Sequence, residues 1–416
     1  MDTSSHHFSR LVTADRLSDI VGRKRLKASL HGVGMWLTAA SETTGASGKL
    51  HRNAVYHQDG RVTWLYPNSN TGELISAMLD LGFVLEDTSW TDAASAYADA
   101  LLDDSVHGLY RGERLEAHGL AWYWTDAGTY TGGYSMRMPA HFFRLYEATG
   151  NQRYLDACDW IGRTMLDRQL ESGLVTAAWN PQDGWMPEPR MGSRYMYPLA
   201  TFATLWKVTG DAKYLSAYER ALPTVLAMQN EDGSFFQCYD PMTGTAVDDS
   251  IKFHFYAYIL NALEEAFTIT KDDRILNCAV RLADHLAGVF YYRHTVPYCG
   301  GNVASPTDQT EADSTMQDSC AGLLWLAKLK GQSVYRDIAS KLLIEAMVHQ
   351  LPVTADDGWA GALLRGVNSS LDGTIAGVPS NRRHLNYDPT LIARCDLWCV
   401  VNHIRACRRL LDESCS

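Results

Sequence analysis

The sequence predicts an all-α fold, an (α/α)6 toroid of six helical hairpins with long loops gathered at one face. Three observations predict it: a 60-residue period, an alternation of two kinds of helix, and an alternation of short turns with long loops. The period is clearest in residues 133–235. There Gly150, Tyr154, Leu155, Gln169 and Gly173 recur 60 positions on as Gly210, Tyr214, Leu215, Gln229 and Gly233. A fixed period of this length marks a repeated supersecondary unit.

The elements follow in order. Residues 17–40 have helical spacing, with apolar Leu17, Ile20, Val21, Leu26 and Leu30. Residues 51–64 read as loop or a short strand pair. The run 67–72, Pro-Asn-Ser-Asn-Thr-Gly, punctuates the chain before a helix over 73–84. Residues 92–102 form an alanine-rich amphipathic helix, and 108–130 are aromatic and irregular. From there the pattern locks in. Residues 134–148, 195–208, 253–267 and 317–329 are apolar nearly all round. They are followed by amphipathic partners at 152–167, 212–228, 272–287 and 334–349. Residues 391–411 read as one closing helix.

A helix apolar on every side is buried on every side, and one with a polar face lies at the surface. The alternation therefore gives six inner helices, beginning near Gly72, Tyr134, Ser193, Ile251, Met316 and Thr390. Six outer helices begin near Leu17, Asp92, Gln152, Ala212, Asp272 and Val334. Inner-to-outer turns are short and carry Gly150, Gly210 and Gly331, which suits a left-handed C-cap. Outer-to-inner connections are long, at 169–192, 229–250, 290–315 and 350–389. Inner helices buried all round favour a closed ring over an open solenoid. The expected organisation is one domain over 1–416, with 1–16 an N-terminal extension.

Composition excludes several functions. The formal net charge is −11 with no basic block, against the clustered Lys and Arg that nucleic acid requires. No stretch approaches the roughly 18 apolar residues of a membrane span. Residues 1–25 lack the apolar core of a signal peptide. Nine scattered cysteines read as buried thiols of a reducing compartment, so a cytoplasmic location is expected. There is no P-loop, no HExxH and no GxGxxG after a strand, so no cofactor or metal is expected. Cys395, Cys399, His403 and Cys407 are spaced by four. As one stripe of a single helix they span about 18 Å at 1.5 Å per residue. They suit core packing rather than one tetrahedral zinc.

The long loops lie at the N-terminal ends of the inner helices, where unpaired N–H groups and a partial positive charge collect. Loops held by a rigid scaffold are the expected seat of chemistry. The candidate acid–base residues are Asp126, Glu188, Asp248, Asp249, His254 and Asp318. Asp249 and Asp318 also suit helix caps, and His254 also suits a satisfied core position. The candidate substrate contacts are Asn70, Glu73, Trp122, Trp124, Tyr134, Arg137 and Trp185, with Arg190, Arg194, Tyr195, Lys252, Trp359, His384 and Tyr387. Flat aromatics stack on the C–H faces of sugars, amides and acids bind hydroxyls, and guanidinium groups bind a uronate or sulfate. Two carboxylates across such a cleft are what glycoside hydrolysis needs.

The run Leu145-Tyr146-Glu147-Ala148-Thr149-Gly150 with Tyr154-Leu155, repeated as Leu205-Trp206-Lys207-Val208-Thr209-Gly210 with Tyr214-Leu215, resembles the six-hairpin carbohydrate-active superfamily. In hairpin style the chain is most similar to unsaturated glucuronyl and rhamnogalacturonyl hydrolases and to related lyases and epimerases. The resemblance implies an aspartate ahead of an inner helix as catalyst. The matching positions are Asp126 before Tyr134, and Asp248 and Asp249 before the fourth inner helix. Similarity to N-acylglucosamine epimerases implies instead paired histidines, for which His254 and His384 stand. Gln229-x3-Gly233-Ser234-Phe235 also resembles the Gln/Trp repeats of terpene cyclases, with Asp248-Asp249 as the acidic pair. The expected function is hydrolysis or elimination on an acidic sugar or oligosaccharide. Sugar epimerisation through His254 and a carboxylate, terpene cyclisation and a non-enzymatic scaffold are the alternatives.

Overall fold

Burial separates the helices into two kinds, as the apolar pattern requires. The computed structural model describes residues 22–45, 48–57, 59–67, 72–103, 123–124, 130–131, 135–176, 178–180, 184–187, 190–293, 299–300, 314–348, 350–355, 359–365 and 391–413. The inner helices are α2 (Glu73–Leu85), α4 (Met138–Thr149), α6 (Gly192–Thr209), α8 (His254–Thr270), α10 (Cys320–Lys330) and α12 (Leu397–Glu413). The outer helices are α1 (Arg23–Glu42), α3 (Ser89–Asp103), α5 (Gln152–Asp167), α7 (Ala212–Ala227), α9 (Asp273–Arg293) and α11 (Ser333–Val348). On α8 six consecutive residues from Phe255 to Leu260 are buried, so every side of the helix meets protein. On α7 only Tyr214, Ala217, Tyr218, Ala221, Leu222 and Val225 are buried, one stripe of an amphipathic helix.

Each inner helix packs on the next, α2 on α4, α4 on α6, α6 on α8, α8 on α10 and α10 on α12. The set closes because α12 packs on α2. That contact distinguishes the (α/α)6 toroid from an open solenoid, whose ends never meet. The outer helix α1 packs against α12, completing the sixth hairpin from the two ends of the chain.

The repeated residues are the joints of this ring. In Thr149-Gly150-Asn151 the threonine hydroxyl donates to Leu145 O, Gly150 turns at φ 71°, and Asn151 caps α5 by accepting from Arg153 N. Thr209-Gly210-Asp211 repeats all three steps. Thr270-Lys271-Asp272 repeats them again, with Lys271 taking the left-handed conformation at φ 55° without a glycine. In three hairpins a tyrosine three residues past the turn reaches back to the preceding outer helix, while Ile275 holds that place after Asp272. Tyr154 bonds Asp99, Tyr214 bonds Asp159 and Tyr335 bonds Asp284.

Gln169 and Gln229 are struts between neighbouring outer helices. Gln169 Nε2 donates to Gly173 O and to Ala217 O on α7; Gln229 Nε2 donates to Gly233 O and to Cys278 O on α9. Gln350 makes the same pair of bonds to Gly361 O and to Ser29 O on α1, which locks the ring shut. The glycines of the glutamine struts are sterically required, whereas those of the short turns are not. A Cβ on Gly233, at φ 87°, would stand 2.2 Å from Arg281 O, whereas one on Gly150 would meet nothing within 4 Å. Gly233→Ala is therefore expected to lower stability by about 3 kcal/mol, from left-handed strain plus overpacking. Gly150→Ala, with strain alone, is expected to cost about 1 kcal/mol. Denaturant midpoints of the two variants check the difference, and equal losses would contradict the steric account.

The opposite face carries short strands that stitch the long loops together. This face, at the N-terminal ends of the inner helices, is the mouth. The hairpin β1 (His51–His57) and β2 (Val62–Pro67) lies between α1 and α2, and β1 pairs antiparallel with β12 (Leu391–Asp396), which pairs with β11 (Leu364–Arg365). The second sheet runs β3 (Tyr123–Trp124), β4 (Tyr130–Thr131), β5 (Ala178–Asn180) and β6 (Gly184–Met186). β7 (Arg190–Met191) pairs with β8 (Cys238–Tyr239), and β9 (Ile251–Lys252) with β10 (Cys299–Gly300). Every one of the six long connections thus contributes a paired strand.

One expectation is corrected. The closing helix begins at Leu397, because Leu391–Asp396 is a strand held by β1, with Cys395 opposite Ala54. A short apolar run fits either period, and the waiting strand decides it. Cys395 therefore does not share the helical stripe of Cys399, His403 and Cys407, although all four are fully buried. The N-terminal extension 1–16 lies outside the described residues.

Candidate active site

Among the described residues of the mouth, the structure brings two acid–base candidates into direct contact. His254 is the first residue of α8. Asp318 sits in the 3-10 turn Ser314–Ser319 that leads into α10. Because α8 and α10 are neighbours in the inner ring, their N-terminal ends meet. His254 Nδ1 lies 2.7 Å from Asp318 Oδ2, and both side chains are buried. Tyr258, one helical turn along the same face of α8, places its hydroxyl 3.2 Å from His254 Nε2. An Nδ1–H donating to the carboxylate leaves Nε2 as the basic nitrogen, accepting from Tyr258. The assembly can hold a proton at Nε2 and return it, with Asp318 orienting the ring.

Aromatic packing fixes this dyad. The Tyr258 ring meets Trp398 edge-on at 4.9 Å and Tyr197 edge-on at 6.3 Å. Phe255 flanks His254 at 5.6 Å, and Lys252 holds its ammonium 5.6 Å from the Phe255 ring.

Gln317, next to Asp318, belongs to a separate buried chain of hydrogen bonds. Its carboxamide meets His403 Nδ1 at 2.7 Å, and His403 Nε2 meets Ser29 Oγ at 2.8 Å. Burial pushes the His403 imidazole down to about 3. Burial also lowers His141 and His285. An unfolded histidine titrates near 6.5. The contribution is therefore whole above about pH 6.5, and it is lost as pH falls toward about 3, because only the unfolded imidazole takes up the proton. Stability is expected to fall below pH 6 by roughly 1.4 kcal/mol per unit for His403 alone. His403→Gln should flatten that dependence in urea titrations between pH 7 and 4, and an unchanged slope would refute the assignment.

The remaining candidates divide by position. Asp248 is exposed and accepts from Ser250 N and Oγ, so it shapes the approach to β9. Asp249 is half-buried on the same loop. Trp359 packs on Tyr56 at 4.2 Å with the rings tilted by 37°, and it donates Nε1–H to Gly60 O, so it joins the sixth loop to the first. Trp124 lies on β3, Trp185 on β6, Arg190 on β7 and Arg194 in the first turn of α6. Register puts Trp124 opposite Tyr130, Tyr130 opposite Trp179 and Trp179 opposite Trp185, a row of four aromatic residues across one sheet. Asn70, Trp122, Asp126, Tyr134, Glu188, His384 and Tyr387 lie outside the described residues.

Three expected substrate contacts are corrected. Arg137 is fully buried, with Nη1 2.8 Å from Glu73 Oε1 and Nη2 2.5 Å from Glu265 Oε1. Its donors are engaged by carboxylates inside the ring, and Glu73 is engaged with it. Tyr195 is a core residue whose hydroxyl donates to Tyr239 O at 3.3 Å. Each stands at a mouth end in sequence, but its side chain turns inward. Tyr258 was missed because it reads as one more apolar residue of a buried helix. The signal was its spacing of four from His254.

Neither a family model nor a curated protein sequence matches the chain. Solved structures do. An unsaturated glucuronyl hydrolase specific for heparin aligns over 95% of this chain and 99% of its own, at TM-score 0.68 and 16% identity. An unsaturated glucuronyl hydrolase from Bacillus sp. GL1 that degrades glycosaminoglycan covers 92% and 96% at TM-score 0.65 and 14% identity. A cellobiose 2-epimerase from Bacillus thermoamylovorans covers 86% and 92% at TM-score 0.65 and 11% identity. The chain has the (α/α)6 toroid fold that these enzymes share, over nearly its whole length.

Proposed function

We propose that the chain is a carbohydrate-active enzyme that binds a sugar at the six-loop mouth and moves a proton on it through His254 and Asp318. The carrying observation is the 2.7 Å contact between these two buried side chains at the mouth end of neighbouring inner helices. A buried imidazole oriented by a carboxylate is suited to removing a proton beside a sugar carbonyl and returning it to the adjacent carbon, or to the other face of the same carbon once the enediolate has turned over. Epimerisation or isomerisation of a reducing sugar is therefore the reaction this geometry supports best. The row of aromatic residues from Trp124 to Trp185 supports a sugar as the bound molecule.

Hydrolysis or elimination on an acidic sugar is the second reading. It is favoured by Asp248 and Asp249 on the loop before α8, and by Arg190, Arg194 and Lys252 at the mouth ends of β7, α6 and β9. A prenyl substrate is disfavoured, since the described axial cavity is walled by guanidinium and carboxylate groups.

Incubation in D2O with reducing sugars and with unsaturated uronides separates the readings. Deuterium at the carbon beside the carbonyl of recovered sugar is the expected result. Cleavage of a uronide, with no deuterium in the recovered reducing sugars, would move the assignment to the second reading. No turnover and no thermal shift with any sugar would overturn both.

A further inference from the structure

A cavity of about 420 Å³ lies along the ring axis, away from the mouth. It runs from Glu73 and His141 toward the short-turn end, where Glu147, Thr268 and Asp412 form its rim. The geometry points to a second small-molecule site here, one that takes a hydroxylated anion of sugar-acid or sugar-phosphate size. The inference rests on none of the mouth assignments.

Two features of the walls carry it. The first is charge. Asp80 Oδ1 is shared by Arg144, at 2.7 Å, and Arg408, which also reaches Asp412 Oδ2 at 3.6 Å. Deeper in, Arg137, Arg405 and Arg409 are matched by Glu73, Glu264 and Glu265. Arg144 and Arg408 both line the cavity and are only part-buried, so this pair is one a ligand can reach. Forked donors on a partly dry wall suit a carboxylate or a phosphate.

The second feature is a set of polar atoms with nothing to bond. His141 Nε2, Asn261 Oδ1 and Asn402 Nδ2 are buried, line the cavity and have no hydrogen-bond partner among the described residues. His141 is held by its other nitrogen, 2.8 Å from Ser76 Oγ, so Nε2 is the free position of an oriented ring. Buried polar groups are nearly always satisfied, so three orphans around one cavity call for a polar occupant. An imidazole and two carboxamides offer both donors and acceptors, the complement of hydroxyl groups. The volume falls in the range of small-molecule sites.

Titration of the full chain with sodium glucuronate, glucose 6-phosphate and glucose, followed by calorimetry, tests the site. Saturable binding of at least one anion, about tenfold tighter than glucose, is expected. Response to glucuronate alone identifies a carboxylate ligand, and response to glucose 6-phosphate alone a phosphate. Thr268 is exposed at the rim, so Thr268→Trp should block entry without touching the fold. Arg408→Gln should weaken binding about tenfold, and His254→Gln at the mouth should leave it intact. Absence of saturable binding overturns the proposal. So does equal binding of glucose, or binding that survives Thr268→Trp and is lost in His254→Gln.

Discussion

Asp318→Asn is expected to lower kcat by roughly 10² to 10⁴ on whichever sugar the deuterium screen identifies, with little change in KM. The substitution keeps the shape of the side chain and removes its charge. In the native site the carboxylate accepts from His254 Nδ1 at 2.7 Å and so fixes Nε2 as the basic nitrogen. An asparagine can present its amide N–H to the same nitrogen, which favours the opposite tautomer and leaves Nε2 protonated. The histidine then stays in place but cannot accept a proton. His254→Gln should show a loss of similar size, and the double variant should lose little more than either alone, since residues that act as a unit are not additive. Tyr258→Phe removes only the hydroxyl 3.2 Å from Nε2 and should cost less, with a shifted pH profile. Thermal midpoints within a few degrees of the native chain would show that the kcat losses are chemical. Activity of Asp318→Asn within threefold of native would sink the dyad as the acid–base unit.

The ring was legible in the sequence because its joints are local. Thr149-Gly150-Asn151 makes its bonds within a few residues and Gln169 bonds Gly173 O four positions on, so the 60-residue period records them directly. The strut from Gln350 escaped notice because its glycine, Gly361, stands eleven positions away instead of four. The geometry is the same, but the loop between is longer. Partnerships across the ring left no periodic trace. His254 and Asp318 are 64 residues apart and belong to different hairpins, and only the closure of inner helices brings them together. Glu73 and Arg137 show the converse error. Their positions at the starts of inner helices were read correctly, but position does not tell whether a side chain points up into the mouth or across the axis. Long side chains at those sites can satisfy one another inside the ring, and a single sequence gives no sign of which direction wins.

Arg137→Met is expected to destabilise the fold by about 3 to 5 kcal/mol, the usual cost of stranding buried charge. Arg137 bridges α2 and α8 from the turn that begins α4, with Glu73 and Glu265 as its partners. The methionine fills much of the same volume, so the loss is electrostatic rather than a cavity effect. In the native chain the two carboxyls respond in opposite directions. Burial raises Glu73 above its ordinary range, while for Glu265 the pull of Arg137 and Arg405 overcomes burial and brings it below. The Glu265 contribution is thus present above about pH 4.5 and is lost as pH falls through its depressed value, whereas Glu73 gains from the same acidification. Without Arg137 both carboxyls favour protonation. The penalty in Arg137→Met should therefore be largest near neutral pH and shrink as the solution is acidified toward pH 5. Replacing Glu73 and Glu265 by glutamine in the same chain should recover most of the loss, since no charge is then left to bury. Urea midpoints at pH 7 and pH 5 for the single and triple variants measure both effects. A loss under 1 kcal/mol, or a triple variant no more stable than the single one, would mean that the ring is held at this level by apolar packing and that the buried ion pairs are dispensable to it.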